Sequence, residues 1–163
     1  MSHPKTADLG DLISALCAGG VDFIIVGGAA AVLHGAPITT VDVDIVPEQS
    51  AANLTRLLEA LRALDARVRD PAGRDLRPTD TLLGGTGQVL LSTSLGPLDV
   101  LCRLHDGRGY PELLPGTVEL TDENRRIRVL GLAELIDIKS KTGRSRDQMV
   151  VPILVALLRR GAD

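Results

Sequence analysis

Two aspartates two positions apart, Asp42 and Asp44, lie in Thr40-Val41-Asp42-Val43-Asp44-Ile45-Val46, whose strict alternation predicts a β-strand over 40–46. Residues i and i+2 of a strand emerge on one face with about 7 Å between their Cα atoms, close enough for two carboxylates to share divalent cations. Without metal such a pair repels itself. It is also common on solvent-facing strands, so its chemistry depends on its surroundings. Thirteen residues separate Asp42 from Gly27-Gly28, which end the apolar run Phe23-Ile24-Ile25-Val26. Glycines there let the backbone approach phosphates, and N–H groups opening the next helix point toward an anion. Magnesium takes oxygen ligands, typically one or two carboxylates plus substrate phosphates, so this arrangement suits a metal–triphosphate site. Asp99, in the apolar setting Leu98-Asp99-Val100-Leu101, supplies a third carboxylate whose charge is otherwise hard to justify. Three carboxylates can serve two ions about 3.5 to 4 Å apart, one activating a hydroxyl and one stabilising a leaving pyrophosphate. Asp99 would bind the hydroxyl-side ion and act as general base.

The elements that must position these residues follow from periodicity. Leu12, Ile13, Leu16 and Cys17 predict a helix from Leu9 that Gly19-Gly20 ends. Phe23–Val26 predicts a strand buried on both faces. Ala29–His34 predicts a short helix, broken at Gly35-Ala36-Pro37. Ser50 is placed to cap a helix striped with Leu54, Leu57, Leu58, Leu61 and Leu64. The aperiodic stretch 70–87 predicts a mobile loop, with at most one short strand near Arg67. Gln88–Thr93 and Leu98–Arg103 predict a hairpin turning at Ser94–Pro97, and Thr117–Leu120 with Ile127–Leu130 a second short pair. Leu132–Lys141 predicts a helix in which Lys139, four residues after Leu135, lays its stem on the apolar face. A lysine on that side either meets an anion or snorkels to solvent. Val151–Arg160 predicts a last helix with Pro152 in its first turn. Strands and helices mix without a βαβ repeat, which gives an α/β (α+β) chain with a mixed sheet flanked by helices.

At 163 residues and 44% hydrophobic, the chain is sized for one domain over 1–163, with a catalytic core about 21–104 and a helical part about 131–163. One Phe, one Tyr and no Trp leave the core to aliphatic residues and exclude rows of stacked aromatics for binding bases. The net charge of −3 argues against a broadly basic nucleic-acid binder. Cys17 and Cys102 are too few for a disulfide framework or zinc site and read as buried thiols of a reducing cytoplasm. Met1–Asp11 carries no leader pattern, and no run approaches the roughly 20 apolar residues of a membrane span. His34 reads as a helix-ending or core residue, His3 and His105 have no assigned role, and Arg125, Arg126 and Arg128 read as a solvated strand edge.

Val26-Gly27-Gly28, Asp42-Val43-Asp44-Ile45 and Leu98-Asp99-Val100 together resemble the three-part signature of DNA polymerase β-type nucleotidyltransferases. Gly27-Gly28-Ala29-Ala30, His34-Gly35 and Thr40–Asp44 are similar to the small bacterial members, the AbiEii-like and minimal nucleotidyltransferases of toxin–antitoxin systems. The likeness spans about 21–147, and Leu135–Lys139 followed by Gly143-Arg144 and Asp147 resembles the family's lysine helix and Gly-Arg-x-x-Asp turn. It implies the nucleotidyltransferase fold and two Mg²⁺ ions, with Mn²⁺ an alternative, held by Asp42, Asp44 and Asp99. It further implies Lys139 as a catalytic residue and Gly27, Gly28, Thr40, Lys139, Arg144 and Asp147 as the nucleotide-binding set, Asp147 orienting Lys139 or Arg144. The implied activity moves a nucleoside monophosphate from a triphosphate such as ATP to a hydroxyl of tRNA, other RNA or protein, in a toxin–antitoxin setting with a cognate toxin or antitoxin as partner. A non-catalytic antitoxin of the same fold and an antibiotic-modifying enzyme stay open as alternatives. Ile38 stands where many relatives carry an arginine, whose contact Arg103 or Arg108 would have to supply.

Overall fold

Phe23–Val26 (β1) is buried at all four positions because it has strands on both sides and apolar cover on both faces. The computed structural model describes residues 7–122 and 125–161. Around β1 lie Val43–Pro47 (β2), Arg67–Val68 (β3), Gln88–Thr93 (β4), Gly96–Leu101 (β5), Thr117–Asp122 (β6) and Arg125–Leu130 (β7). They form one seven-stranded sheet in the order β3-β4-β5-β2-β1-β7-β6. The sheet is mixed, with β1–β7 and β2–β5 parallel and the other pairs antiparallel.

Helices Leu9–Ala18 (α1), Gly27–Leu33 (α2), Ala51–Ala63 (α3), Asp80–Leu83 (α4), Tyr110–Leu113 (α5), Leu132–Ser140 (α6) and Ser145–Gly161 (α7) flank the sheet. The Asp8 carboxylate caps α1 by accepting from Asp11 N–H at 3.0 Å, and α1 buries Leu12, Ile13 and Leu16. Ser50 caps α3 by accepting from Asn53 N–H at 3.2 Å, and Leu54, Leu57 and Leu61 go into the core. The apolar cluster is aliphatic apart from Phe23 and Tyr110, as the composition requires. Cys102 is buried and Cys17 half-buried, both free. Among the described residues no helix is long and apolar enough to cross a membrane. His3 and the first part of the N-terminal segment lie outside the described residues.

Several elements differ from the sequence pattern for local reasons. β2 starts at Val43, because the Val41 carbonyl accepts from Ala7 N–H at 2.8 Å and the Asp42 carbonyl from Thr40 Oγ1 at 2.8 Å. Val41 is accordingly half exposed, out of alternation with Val43 and Ile45. α2 begins two residues before the expected start, at Gly27. Stretch 70–87 contains the one-turn α4, capped by Thr79 and anchored by fully buried Leu83, too short to show a period. α7 begins at Ser145, which puts Pro152 inside the helix and leaves the Gln148 carbonyl without its usual donor. β7 is interior, between β1 and β6, so Arg125 and Arg128 do not form a sheet edge: Arg125 donates to Ser14 Oγ and Arg128 to Tyr110 Oη at 3.1 Å.

Candidate active site

Strand register assembles the carboxylates. Asp44 on β2 lies directly opposite Asp99 on β5, Leu90 on β4 lies opposite Asp99, and Arg69 N–H donates to the Leu90 carbonyl at 2.8 Å. Arg69, just past the end of β3, therefore continues a row formed by Leu90, Asp99 and Asp44 across β4, β5 and β2, on one face of the sheet. Asp42, on the lead-in to β2, completes the group, and one oxygen from each of Asp42, Asp44 and Asp99 lies within 4.8 Å of the others. The crowding is written in their acidities. Burial, then the charge of Asp42, raises Asp44 to about 6. Burial, then a hydrogen bond with Asp42 and the charges of Asp42 and Asp44, raises Asp99 to about 8, against the pull of Arg69. Arg69 ion-pairs with Asp99 Oδ1.

Gly27 has φ of +64°, and a Cβ there would run into Asp44 Oδ2. The glycine thus meets both a left-handed backbone and the close approach of a carboxylate. A Cβ on Gly28 would come within 2.9 Å of Thr40 Oγ1. Thr40 gives its hydroxyl proton to the Asp42 carbonyl, so it braces the lead-in that carries Asp42. Gly27, Gly28 and Thr40 all line the same cleft as the triad, an open space of about 1290 Å³.

The opposite wall comes from the α6–α7 turn. Lys139, in the last turn of α6 with its side chain 11% exposed, places Nζ 3.3 Å from Asp147 Oδ1. Asp147 Oδ2 accepts from Thr142 Oγ1 at 2.7 Å and pairs with Arg144 Nε at 3.1 Å. Burial pushes the Asp147 carboxyl up, but Thr142 and the charges of Lys139 and Arg144 outweigh it and hold it below the ordinary range. One carboxylate therefore orients both cations, and Lys139 and Arg144 project their fields onto Asp44 across the cleft.

Every nucleotide-site residue expected from the sequence lines this cleft. Arg69, Gln88 and Thr142 had no assigned role. Arg67-Val68-Arg69 shows the alternation of a short strand, but nothing in the order of residues says that this strand adds to β4 and aims Arg69 at Asp99. The arginines expected to make up for Ile38 are committed elsewhere. Arg108 reaches Asp106, Glu134 and Asp137 at 2.8, 2.9 and 3.3 Å, and Arg103 lies 3.5 Å from Glu112. His34 bonds the Leu130 carbonyl through Nε2 at 2.9 Å, in keeping with a helix-ending role.

The donor set fits a hard divalent cation such as Mg²⁺ or Mn²⁺. It is all carboxylate, crowded beyond what one guanidinium neutralises, and free of thiolate or imidazole.

No protein-family model matches the chain, and no curated protein matches it by sequence. Solved structures do match. The lincomycin-bound lincosamide antibiotic adenylyltransferase LnuA superposes with a TM-score of 0.64 at 13% identity, over 94% of this chain and 99% of that one. The antibiotic-resistance factor ANT(2″)-Ia gives 0.54 at 15% identity, over 91% and 83%. A Thermotoga maritima protein assigned as a nucleotidyltransferase gives 0.51 at 17% identity, over 91% and 90%. With its mixed sheet, its helices and the order in which they follow one another, the chain has the nucleotidyltransferase fold.

Proposed function

We propose that this protein is a metal-dependent nucleotidyltransferase that moves a nucleoside monophosphate from a triphosphate to a hydroxyl and releases pyrophosphate. The observation that carries it is the pairing of a crowded carboxylate triad with a pre-oriented lysine–arginine wall across one cleft. Asp42, Asp44 and Asp99 would hold Mg²⁺, which supplies charge neutralisation at the triphosphate and polarises the reacting phosphoryl group. Lys139 and Arg144 bind phosphate oxygens, oriented by Asp147. Asp99, ionised once the cation offsets its neighbours' charges, would accept the proton of the acceptor hydroxyl. The new bond joins that oxygen to the α-phosphorus, and the bond from the α-phosphorus to the bridging oxygen of pyrophosphate breaks. The intact triad weighs against a non-catalytic antitoxin.

The toxin–antitoxin reading, with an RNA 3′ end or a protein as acceptor, rests on the likeness of 27–44 to the small bacterial members. A second reading is favoured by the arginines of 67–108: Arg67, Arg74, Arg77, Arg103 and Arg108 are each tied to a carboxylate, which reduces the positive charge this stretch offers a polynucleotide. On that reading the acceptor is a small hydroxyl compound held in the cleft, as lincomycin is bound by LnuA. Incubation with each α-labelled triphosphate and a cell extract, with or without lincomycin, separates them. Ribonuclease-sensitive label supports RNA, protease-sensitive label supports a protein acceptor, and label on the added compound supports the second reading. No labelled product and no pyrophosphate from any triphosphate would sink the enzyme.

A further inference from the structure

Arg69 is the one cation in direct contact with any of the three carboxylates among the described residues, and it contacts only Asp99. It is no loose surface pair. Its backbone is pinned to Leu90, its side chain crosses that strand to a carboxylate 11% exposed, and the loop behind it is tied at both ends. Val68 N–H donates to the Leu76 carbonyl at 2.8 Å, and Arg74 Nε donates to Asp70 at 2.6 Å. The neighbouring Arg67 pairs are far more exposed, where ion pairs contribute little. Arg69 thus divides the triad: Asp99 has a fixed counter-charge, whereas Asp42 and Asp44 have no direct cationic partner.

We propose that Arg69 is a positioning residue that reserves Asp99. It orients the third carboxylate and opposes capture of a bare divalent cation, so that metal enters the triad together with the triphosphate, whose own charge offsets the guanidinium. This rests on the metal-dependent reading above and adds an order of binding to it. A cation at the triad would lie within a few ångströms of the guanidinium, where like charges repel, and it would also compete with Arg69 for Asp99 Oδ1.

Mn²⁺ binding followed by electron paramagnetic resonance, with and without a non-hydrolysable triphosphate analogue, tests this on wild type, Arg69→Gln and Arg69→Lys, each checked by thermal melting. Expected is Mn²⁺ affinity about tenfold tighter in Arg69→Gln than in wild type without nucleotide. Arg69→Lys should return toward wild type, and the difference should shrink once the analogue is present. A purely structural clamp predicts no tightening. Equal Mn²⁺ affinity for Arg69→Gln and wild type, or a Lys variant as tight as the Gln variant, overturns the proposal while leaving the enzyme reading in place. Wild type that fails to bind Mn²⁺ even with the analogue overturns both.

Discussion

The two walls of the cleft solve opposite electrostatic problems. On the sheet side, register forces Asp44 and Asp99 side by side with Asp42 close by, and their carboxyls are pushed above the usual range because burial and the neighbouring charges have too little compensation. On the helix side, the Asp147 carboxyl is held below the ordinary range because Thr142, Lys139 and Arg144 surround it and outweigh its burial. One wall is built under crowding that a cation would relieve; the other is neutralised internally and keeps its cations in place. A triphosphate with its metal would complement both.

The largest effect expected from breaking this contrast is at Asp99. Asp99→Asn should reduce transfer by about 10²–10⁴-fold, the range for loss of a general base, with nucleotide affinity much less affected. Steady-state kinetics on the identified acceptor check this. On the other wall, Lys139→Met would remove the proposed charge-assisted phosphate contact, worth about 1.5–3 kcal/mol, and should weaken triphosphate binding about 10- to 100-fold in calorimetry. Gly27→Ala forces a left-handed backbone onto a residue with a side chain, about 1–2 kcal/mol, and pushes Asp44 aside. A lower melting temperature together with lost metal binding is the expected pair of results.

The smallest effect is the pH response of the metal-free protein. Asp44 and Asp99 titrate at about 6 and about 8, above the usual carboxylate range, so the folded chain holds protons that the unfolded chain releases from about pH 4 upward. Stability from these groups is present at low pH and is lost as pH rises toward 8. Melting without metal should fall between pH 5 and 8, and added Mg²⁺ should raise it more at pH 8 than at pH 5. Equal Mg²⁺ shifts at both values would contradict the crowding on the sheet side.

How much of this was legible in the chain depends on whether neighbours in space are neighbours in pattern. Asp42, Asp44 and the glycine turn were, because one strand and one turn carry their geometry. Asp99 was found by its apolar setting, and the structure supplies the direct pairing with Asp44. The Lys139–Asp147 contact spans a helix end and a turn, close enough in sequence for resemblance to carry it. Arg69 was not legible, since its role depends on β3 adding to the far side of β4, a long-range choice that two residues of strand do not encode. The start of β2 was misplaced for a similar reason: Ala7, distant in sequence, takes the Val41 carbonyl. Pro152 suggested the beginning of a helix, yet α7 continues through it, with Ile153, Val150 and Leu157 packed on the core.

The central claim is that the triad holds a metal-bound triphosphate. Calorimetric titration of wild type and Asp44→Asn with a non-hydrolysable triphosphate, with and without Mg²⁺, measures it without knowledge of the acceptor. The account predicts Mg²⁺-dependent binding in wild type and its loss in Asp44→Asn, which should melt no lower than wild type in metal-free buffer at pH 8. Equal binding by the two proteins, or binding by wild type that is indifferent to Mg²⁺, would contradict it.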